Sequence, residues 1–128
     1  MQQLLFTGLF MNHTPHWITD EIAISGQISV ENLHDIKKMG FKSIICNRPD
    51  FESDKKQPTK ISIENEAKNL GISFEFLPVS SNYQSEEEAS KMATHLDKLP
   101  KPILAYCRTG GRCSSLIGLS VQLGFYKF

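Results

Sequence analysis

The sequence predicts an α/β fold of three layers, in which helices flank a mostly parallel sheet of four or five strands. Short apolar runs alternate along the chain with longer segments whose apolar residues recur every three or four positions. The links between these segments are short, as in right-handed crossovers that place successive strands parallel. At 128 residues, the chain is one domain long enough to bury about two-thirds of the surface of its unfolded form.

Each element has its own local signal. The predicted strands cover residues 18–25, 41–46, 72–79 and 103–106. Three predicted helices follow the capping residues Ser29, Thr59 and Ser85 and end near Gly40, Gly71 and Pro100, and a fourth covers residues 116–123 before Gly124. Glu88 lies three residues after Ser85, which predicts a capping box and explains the neighbouring glutamates without catalysis.

The first residues are predicted to be an N-terminal extension, 1–16, ahead of a catalytic domain at 17–128. Residues 1–10 are apolar, but they lack a basic leader and a cleavage site and are too short to span a bilayer. The polar, proline-broken stretch 11–17 predicts a linker. Its two histidines lack further ligands, so we expect no metal there.

The charge and cysteine content of the chain limit the kinds of partner and compartment that are expected. Fourteen basic and fourteen acidic residues cancel, with a pI near 6.9, so no global field attracts nucleic acid or a membrane. The three cysteines are an odd number without paired spacings, which favours a reducing compartment, the cytoplasm, with no disulfide. We expect no metal and no cofactor, and the sequence does not indicate an oligomeric state.

The segment 105–115 carries the candidate chemistry. Cys107 follows the last predicted strand and opens a helix, whose first N–H groups are unpaired and carry the positive end of the dipole. A thiol in that field is expected to ionise and act as a nucleophile. The guanidinium of Arg112 can donate two parallel hydrogen bonds to an oxyanion. Cys107 and Arg112 are therefore the candidate catalytic residues. The candidate anion-binding residues are Arg108, Thr109, Gly110, Gly111, Cys113 and Ser114. The alternative is an inert buried cysteine beside a glycine turn.

A second segment is expected at the same edge of the sheet. The strand 41–46 delivers Asn47, Arg48 and Asp50 to the carboxyl ends of the strands, where open α/β sheets bind ligands. These three are second-tier site candidates. The alternative is a turn at Pro49 and Asp50, with Arg48 paired to Asp50 or a nearby glutamate. Residues 51–58 are predicted to be an exposed loop.

Three motifs together resemble a known family. They are Tyr-Cys-Arg-Thr-Gly-Gly-Arg-Cys-Ser at 106–114, Ile-Ser-Gly-Gln-Ile at 24–28 and Cys-Asn-Arg-Pro-Asp at 46–50. They resemble the phosphatase-like domain family of bacterial β-lactamase-hydrolase-like proteins, over about residues 17–124. The resemblance implies a fold like that of protein tyrosine and dual-specificity phosphatases. It also implies hydrolysis of a phosphate ester through a phosphocysteine on Cys107, on a small anionic substrate or a phosphoprotein.

The chain departs from the phosphatase pattern at several positions. Four residues separate Cys107 from Arg112, where those phosphatases have five, and this shorter spacing resembles rhodanese sulfurtransferases. The loop 80–85 contains no Asp to act as general acid, so either Asp50 supplies the proton or turnover of alkyl phosphates is poor.

The residues flanking the motif differ as well. Tyr106 stands where phosphatases carry His, and Cys113 stands where they carry Ser or Thr, with Ser114 and Ser115 as the nearest hydroxyls. Cys113 and Cys46 are candidate resolving thiols for an oxidised or persulfide form of Cys107.

Three functions remain open. The first is a cysteine-dependent phosphatase. The second is a sulfurtransferase that forms a persulfide on Cys107, with Arg108 and Arg112 holding the anionic donor. The third is a non-catalytic domain that binds an anion or a partner.

Overall fold

A five-stranded sheet lies at the centre of the protein. The computed structural model describes residues 14–53 and 55–128. The strands are β1 (His16–Trp17), β2 (Ile22–Ser25), β3 (Ser43–Cys46), β4 (Ser73–Phe76) and β5 (Ile103–Tyr106), in the spatial order β1-β2-β5-β3-β4. Strands β2 to β5 are parallel, and β1 is antiparallel to β2. The predicted mostly parallel sheet is confirmed.

The first hairpin differs from the sequence prediction. The hydroxyl of Thr19 accepts hydrogen bonds from the amides of Glu21 and Ile22, so a turn occupies the start of the predicted strand 18–25. The end of the predicted linker forms β1 instead. Trp17 stacks on Phe41 at 4.9 Å between ring centroids, a tertiary contact that local sequence does not indicate. The boundary predicted between residues 16 and 17 falls within β1, and most of the predicted extension, 1–13, lies outside the described residues.

In the part of the chain that the structure describes, four helices connect or follow the strands. They are α1 (Leu33–Lys38), which a 3-10 turn at Val30–Asn32 precedes, α2 (Lys60–Asn69), α3 (Glu86–Lys98) and α4 (Gly111–Gln122). Two of the three predicted caps begin α-helices: Thr59 accepts a hydrogen bond from the Ser62 amide, and Ser85 and Glu88 form the reciprocal capping box. The third, Ser29, precedes the 3-10 turn, and its amide donates to the Asn32 side chain at 2.9 Å. No helix in the described ranges is long and apolar enough to cross a membrane.

The helices cover both faces of the sheet, which confirms the three layers. Alternate residues of a strand face opposite sides, so Leu104 and Tyr106 pack in one core and Ile103 and Ala105 in the other. The first core contains residues of α1 and α2, including Leu33, Ile36, Ile63 and Ala67. The second contains residues of α3 and α4, including Met92, Leu96, Leu116 and Ile117. Burying each of the larger side chains stabilises the fold by about 1.5–3 kcal/mol.

The strand register brings the connecting loops together. Tyr106 is paired with Ser25 on one side and with Cys46 on the other, and Cys46 is paired with Phe76. The carboxyl ends of the four parallel strands therefore lie at one edge of the sheet. The segments that leave this edge begin at residues 26, 47, 77 and 107.

Candidate active site

The cysteine loop is short and depends on one glycine. Cys107 follows β5 directly, and Gly110 is the N-cap of α4 with a φ of 96°. A Cβ atom on Gly110 would lie 3.4 Å from the backbone carbon and oxygen of Ser25. The left-handed conformation is what favours glycine here, because a Cβ atom 3.4 Å from Ser25 would make only an ordinary van der Waals contact.

Hydrogen bonds converge on the sulfur of Cys107. The amide of Gly110 donates to its Sγ atom at 3.1 Å. The pKa of Cys107 is lowered from 9.0 to about 5, and the hydrogen bond from the Cys113 thiol is the largest cause. Burial raises the pKa, but the thiol together with the amides of Cys113, Thr109 and Gly110 outweighs it. The thiolate is therefore the main form at neutral pH.

Arg112 is held from three directions. Its Nη1 donates to the carbonyl oxygens of Val79 at 3.0 Å and Asn47 at 3.4 Å, and its Nη1 and Nη2 atoms bind the two carboxylate oxygens of Glu52 at 3.0 and 3.1 Å. The residue is only 8% exposed, and its Nε atom has no hydrogen-bond partner among the described residues. A buried N–H without a partner is costly, and an oxyanion at this edge of the guanidinium would satisfy it.

A cavity of about 290 Å³ opens over this loop. It is lined by Ser81, Gln84, Cys107, Arg108, Thr109, Gly111, Arg112 and Ser115. The lining contains two arginines and no carboxylate, so it favours an anion. Ser81, Gln84 and Ser115 were not among the site residues predicted from sequence, although the loop after β4 was expected at this edge. Within residues 14–53 and 55–128, no group of three His, Cys, Asp or Glu side chains is arranged to hold a metal ion.

Three residues of the predicted anion-binding set do not line the cavity. Gly110 is buried against Ser25, and its amide is already bonded to the Cys107 sulfur. Cys113 is completely buried and supports the thiolate instead of contacting an anion from the cavity. Ser114 is exposed, and its amide donates to Gly110 in the first turn of α4. Helical rotation moves residues 113 and 114 away from the loop mouth, a consequence that the motif alone does not display.

Arg48, a second-tier candidate, lies outside the cavity lining and binds Glu52, the partner of Arg112. Arg48 is 5% exposed and donates to Glu52 at 3.0 Å, Gln27 at 2.9 Å and Ser53 at 2.8 Å. All three of its side-chain nitrogens are therefore engaged by protein groups. This is the structural alternative considered from the sequence, in which Arg48 pairs with a nearby glutamate.

The other two second-tier residues also lie outside the cavity lining. Asn47 is fully buried; its Nδ2 donates to the Leu77 carbonyl at 2.9 Å, and its backbone carbonyl oxygen accepts from Arg112. Asp50 accepts a hydrogen bond at 2.8 Å from the amide of Lys60, at the first residue of α2. A carboxylate is stabilised at a helix N-terminus, so Asp50 acts as a cap in this structure.

Glu52 is a further site residue that was not predicted from the sequence. Burial by itself raises the pKa of Glu52, but hydrogen bonds from Arg112 and Arg48 outweigh it and hold the pKa below its usual value. One ionised carboxylate thus pairs with two buried guanidinium groups, and the three side chains together keep one positive charge. Gln57 fixes the surrounding loop, since its side chain accepts from the Glu52 amide at 3.0 Å and donates to the Pro49 carbonyl at 2.8 Å.

The three cysteines are divided between the two faces of the sheet. Cys107 and Cys113 belong to the core under α3 and α4, whereas Cys46 belongs to the opposite core, together with Tyr106. Burial raises the pKa of Cys46 to about 11, and its thiol donates to the Arg48 carbonyl at 3.3 Å. Of the two candidate resolving thiols, Cys113 is the one that packs with Cys107.

Solved structures of phosphatases resemble this fold, and they include the following two. A candidate phosphatase from Neisseria meningitidis is 30% identical, with a TM-score of 0.78 over 87% of this chain and 78% of that one. The core catalytic domain of the PP-IP phosphatase SIW14 from S. cerevisiae is 23% identical, with a TM-score of 0.60 over 91% of this chain and 68% of that one. The second likeness shows the fold alone. The predicted phosphatase-like fold is confirmed.

Sequence comparisons agree with the structural ones. β-Lactamase hydrolase-like proteins of Agrobacterium fabrum and Xylella fastidiosa are 29% and 28% identical over 106 and 103 residues. These matches cover 83% and 80% of this chain, which spans about a quarter of the length of either relative. The family model for the phosphatase-like domain of β-lactamase hydrolase-like proteins matches residues 15–124. The chain therefore belongs to the phosphatase-like domain family of β-lactamase hydrolase-like proteins.

Proposed function

We propose that this chain is a cysteine-dependent phosphatase that hydrolyses a phosphate ester through a phosphocysteine on Cys107. The observation that carries the proposal is that one cavity is lined both by Cys107, whose pKa is lowered to about 5, and by Arg112, whose Nε–H has no hydrogen-bond partner among the described residues. The proposed substrate is a small phosphorylated anion or a phosphoprotein. Because the reaction needs reduced Cys107, a reducing compartment such as the cytoplasm suits it.

In the first half of the reaction, the Cys107 sulfur attacks phosphorus. An S–P bond forms as the ester P–O bond breaks, and the leaving oxygen departs with the bonding electrons and takes a proton from water. Loop amides and the Nε and Nη2 edge of Arg112 bind the phosphoryl oxygens, where negative charge is concentrated in the transition state. Arg112 is already oriented by Glu52 and Val79, so little reorganisation accompanies the reaction.

In the second half, water attacks the phosphocysteine. The S–P bond breaks, inorganic phosphate leaves, and the Cys107 thiolate is restored. The hydrogen bonds that stabilise the resting thiolate also stabilise it as the leaving group of this step. The reaction consumes only the ester and water and requires no metal or cofactor.

Sulfur transfer is the second candidate, and the spacing of the loop favours it. Only four residues separate Cys107 from Arg112, and the cavity lining supplies no carboxyl to protonate a leaving group. In this reaction, Cys107 attacks the outer sulfur of thiosulfate, sulfite leaves, and a persulfide forms. Cyanide then takes the outer sulfur as thiocyanate and restores the thiolate. Neither step needs a general acid.

A side-by-side assay distinguishes the candidates. We expect the purified protein to release phosphate from 4-nitrophenyl phosphate, and we expect Cys107→Ser to be inactive because serine is not ionised at neutral pH. The same preparations are tested with thiosulfate and cyanide. Cys107-dependent thiocyanate formation without phosphate release would reverse the ranking. If neither phosphate nor thiocyanate forms and the Cys107 thiol is still rapidly alkylated, the result would support the non-catalytic binding domain.

A further inference from the structure

The outer edge of β4 lacks a neighbouring strand. β4 is the last strand in the sheet order, and no strand in the described ranges pairs with its outer side. The amides of Ser73 and Leu77 donate to carbonyl oxygens on the β3 side. Because backbone groups alternate along a strand, the N–H and C=O groups of Phe74 and Phe76 point away from β3. Pro78, the next residue in this alternation, has no N–H, so the free edge ends at Phe76.

Two adjoining cavities form a groove beside this edge. One, of about 430 Å³, is lined by residues 71–75 and by two residues of α2. The other, of about 550 Å³, is lined by residues 70–73, the end of α1 and the segment before β3. Together they form the β4 groove, which is lined by residues 37, 40–42, 64, 68, 70–75 and 100. The two cavities meet at the start of β4, at the opposite end of the parallel strands from Cys107.

Three lysines of the groove have no ion-pair partner in the described part of the chain. Lys37 and Lys68 lie in the last turns of α1 and α2, and Lys42 directly precedes β3. Each is exposed, and none forms a salt bridge. Of the two glutamates in the groove, Glu64 already pairs with a lysine of its own helix, and Glu75 is the third residue of β4. The start of the groove therefore carries an excess of positive charge.

The helix dipole does not account for this excess. A lysine in the last turn of a helix is favoured by the dipole, which would explain Lys37 and Lys68 separately. Lys42 lies on no helix, and its backbone carbonyl accepts the hydrogen bond from the first amide of β4. The lysines thus converge from three segments on the place where the free edge begins.

The side chains of β4 offer another contact to an added strand. Phe74 and Phe76 pack against the first core but are only half-buried. Residues opposite each other on neighbouring strands pack together on the same face of a sheet. A strand beside β4 would therefore place alternate side chains next to these two rings.

From these features we propose that the β4 groove binds an extended acidic peptide of a partner protein. The peptide adds a strand to the sheet, and its backbone pairs with Phe74 and Phe76. Its alternate apolar residues contact the two rings, and acidic residues at one end of the peptide bind the three lysines. A second copy of this chain matches the groove less well, because its own β4 would bring a single carboxylate to that charge.

The test measures binding of a fluorescein-labelled synthetic peptide, Glu-Asp-Glu-Val-Thr-Val-Thr-Val, and of the same sequence reversed, because strands pair in either direction. Anisotropy titrations give the affinity, and the measurement does not depend on catalysis. We expect at least one of the two peptides to bind. In Lys37→Glu/Lys42→Glu, the affinity should fall about tenfold, because attractions to the acidic residues become repulsions.

Lys91→Glu/Lys127→Glu is the matched control. Both lysines are exposed and lie outside the β4 groove, so this variant changes the net charge equally. We expect its affinity for the peptide to stay within about twofold of the wild-type value. Thermal melts show whether each variant is folded.

Peptides methylated on alternate amide nitrogens test the backbone pairing. Only every second amide of an added strand faces β4. One methylated set should therefore abolish binding, whereas the other set should keep most of it. Equal effects of the two sets would contradict strand addition.

Three other results would overturn the proposal. The first is that neither peptide binds, and the second is an equal loss of affinity in the two double variants. The third is a dimer in sedimentation velocity that is lost in Lys37→Glu/Lys42→Glu and kept in the control, which would assign the groove to a second copy.

Discussion

Arg112→Lys is expected to lower kcat/KM for aryl phosphates by about 10³-fold, the upper end of the cost of losing a transition-state hydrogen-bond donor. Lysine carries one compact ammonium group, which cannot reach Val79, Asn47, both oxygens of Glu52 and an oxyanion at the same time. The substitution also removes the Nε–H that lacks a protein partner. Affinity for inorganic phosphate should fall together with kcat/KM.

The matched control for this prediction is Arg108→Lys. Arg108 lines the same cavity but is exposed, so the change keeps its charge in a position where water can replace lost hydrogen bonds. We expect a loss of less than about tenfold. A thermal melt of each variant separates loss of function from loss of fold. An Arg112→Lys protein that is folded and binds phosphate as the wild type does would show that Arg112 has been assigned the wrong role.

Aryl phosphates are expected to be cleaved about 10²–10⁴-fold faster than alkyl phosphates, the range that general acid catalysis usually contributes. No carboxyl group lines the cavity, and Asp50, the acid suggested from the sequence as a proton donor, instead caps α2. Glu52 lies closer to the reaction, but its two arginines hold its pKa below the usual value, so it is ionised at neutral pH and has no proton to donate. The protein therefore relies on leaving groups that depart unassisted.

The measurement compares 4-nitrophenyl phosphate with glycerol phosphate at neutral pH, with Cys107→Ser as the blank for each. Asp50→Asn is the control for the acid. It should leave the aryl-to-alkyl ratio unchanged, because the Asn oxygen can still accept the hydrogen bond from Lys60. Similar rates on the two substrates would contradict the prediction. A selective loss of alkyl turnover in Asp50→Asn would identify Asp50 as the missing acid.

Local signals predicted the parts of this fold that depend on neighbours in sequence. The apolar run 103–106, which Pro100 and Pro102 precede, predicted β5 at its observed bounds. The capping residues Thr59 and Ser85 marked the starts of two helices. β1 was not predicted, because a strand of two residues is defined by its pairing with β2 and by the stacking of Trp17 on Phe41. Periodicity does not record contacts of that kind.

In the candidate site, too, the residues that are neighbours in sequence were predicted and the contacts between distant residues were not. The cysteine loop is contiguous, so its glycines, helix start and arginine could be recognised together. The contact between Glu52 and Arg112 joins residues 60 positions apart, across two strands that are neighbours only in the folded sheet. The spacing of Glu52 four residues after Arg48 was the only local hint, and such spacing is informative on a helix, whereas this segment is a loop. The support given by Cys113 was also hidden, since it follows from the rotation of α4.

Trapping the phosphocysteine intermediate tests whether Cys107 attacks phosphorus. Protein mixed with excess 4-nitrophenyl phosphate is quenched in denaturant during turnover, digested, and examined by mass spectrometry. We expect a phosphoryl group on the peptide that contains Cys107, absent without substrate and absent in Cys107→Ser. Phosphate release by Cys107→Ser at the wild-type rate, or a phosphoryl group on another residue during Cys107-independent turnover, would contradict it.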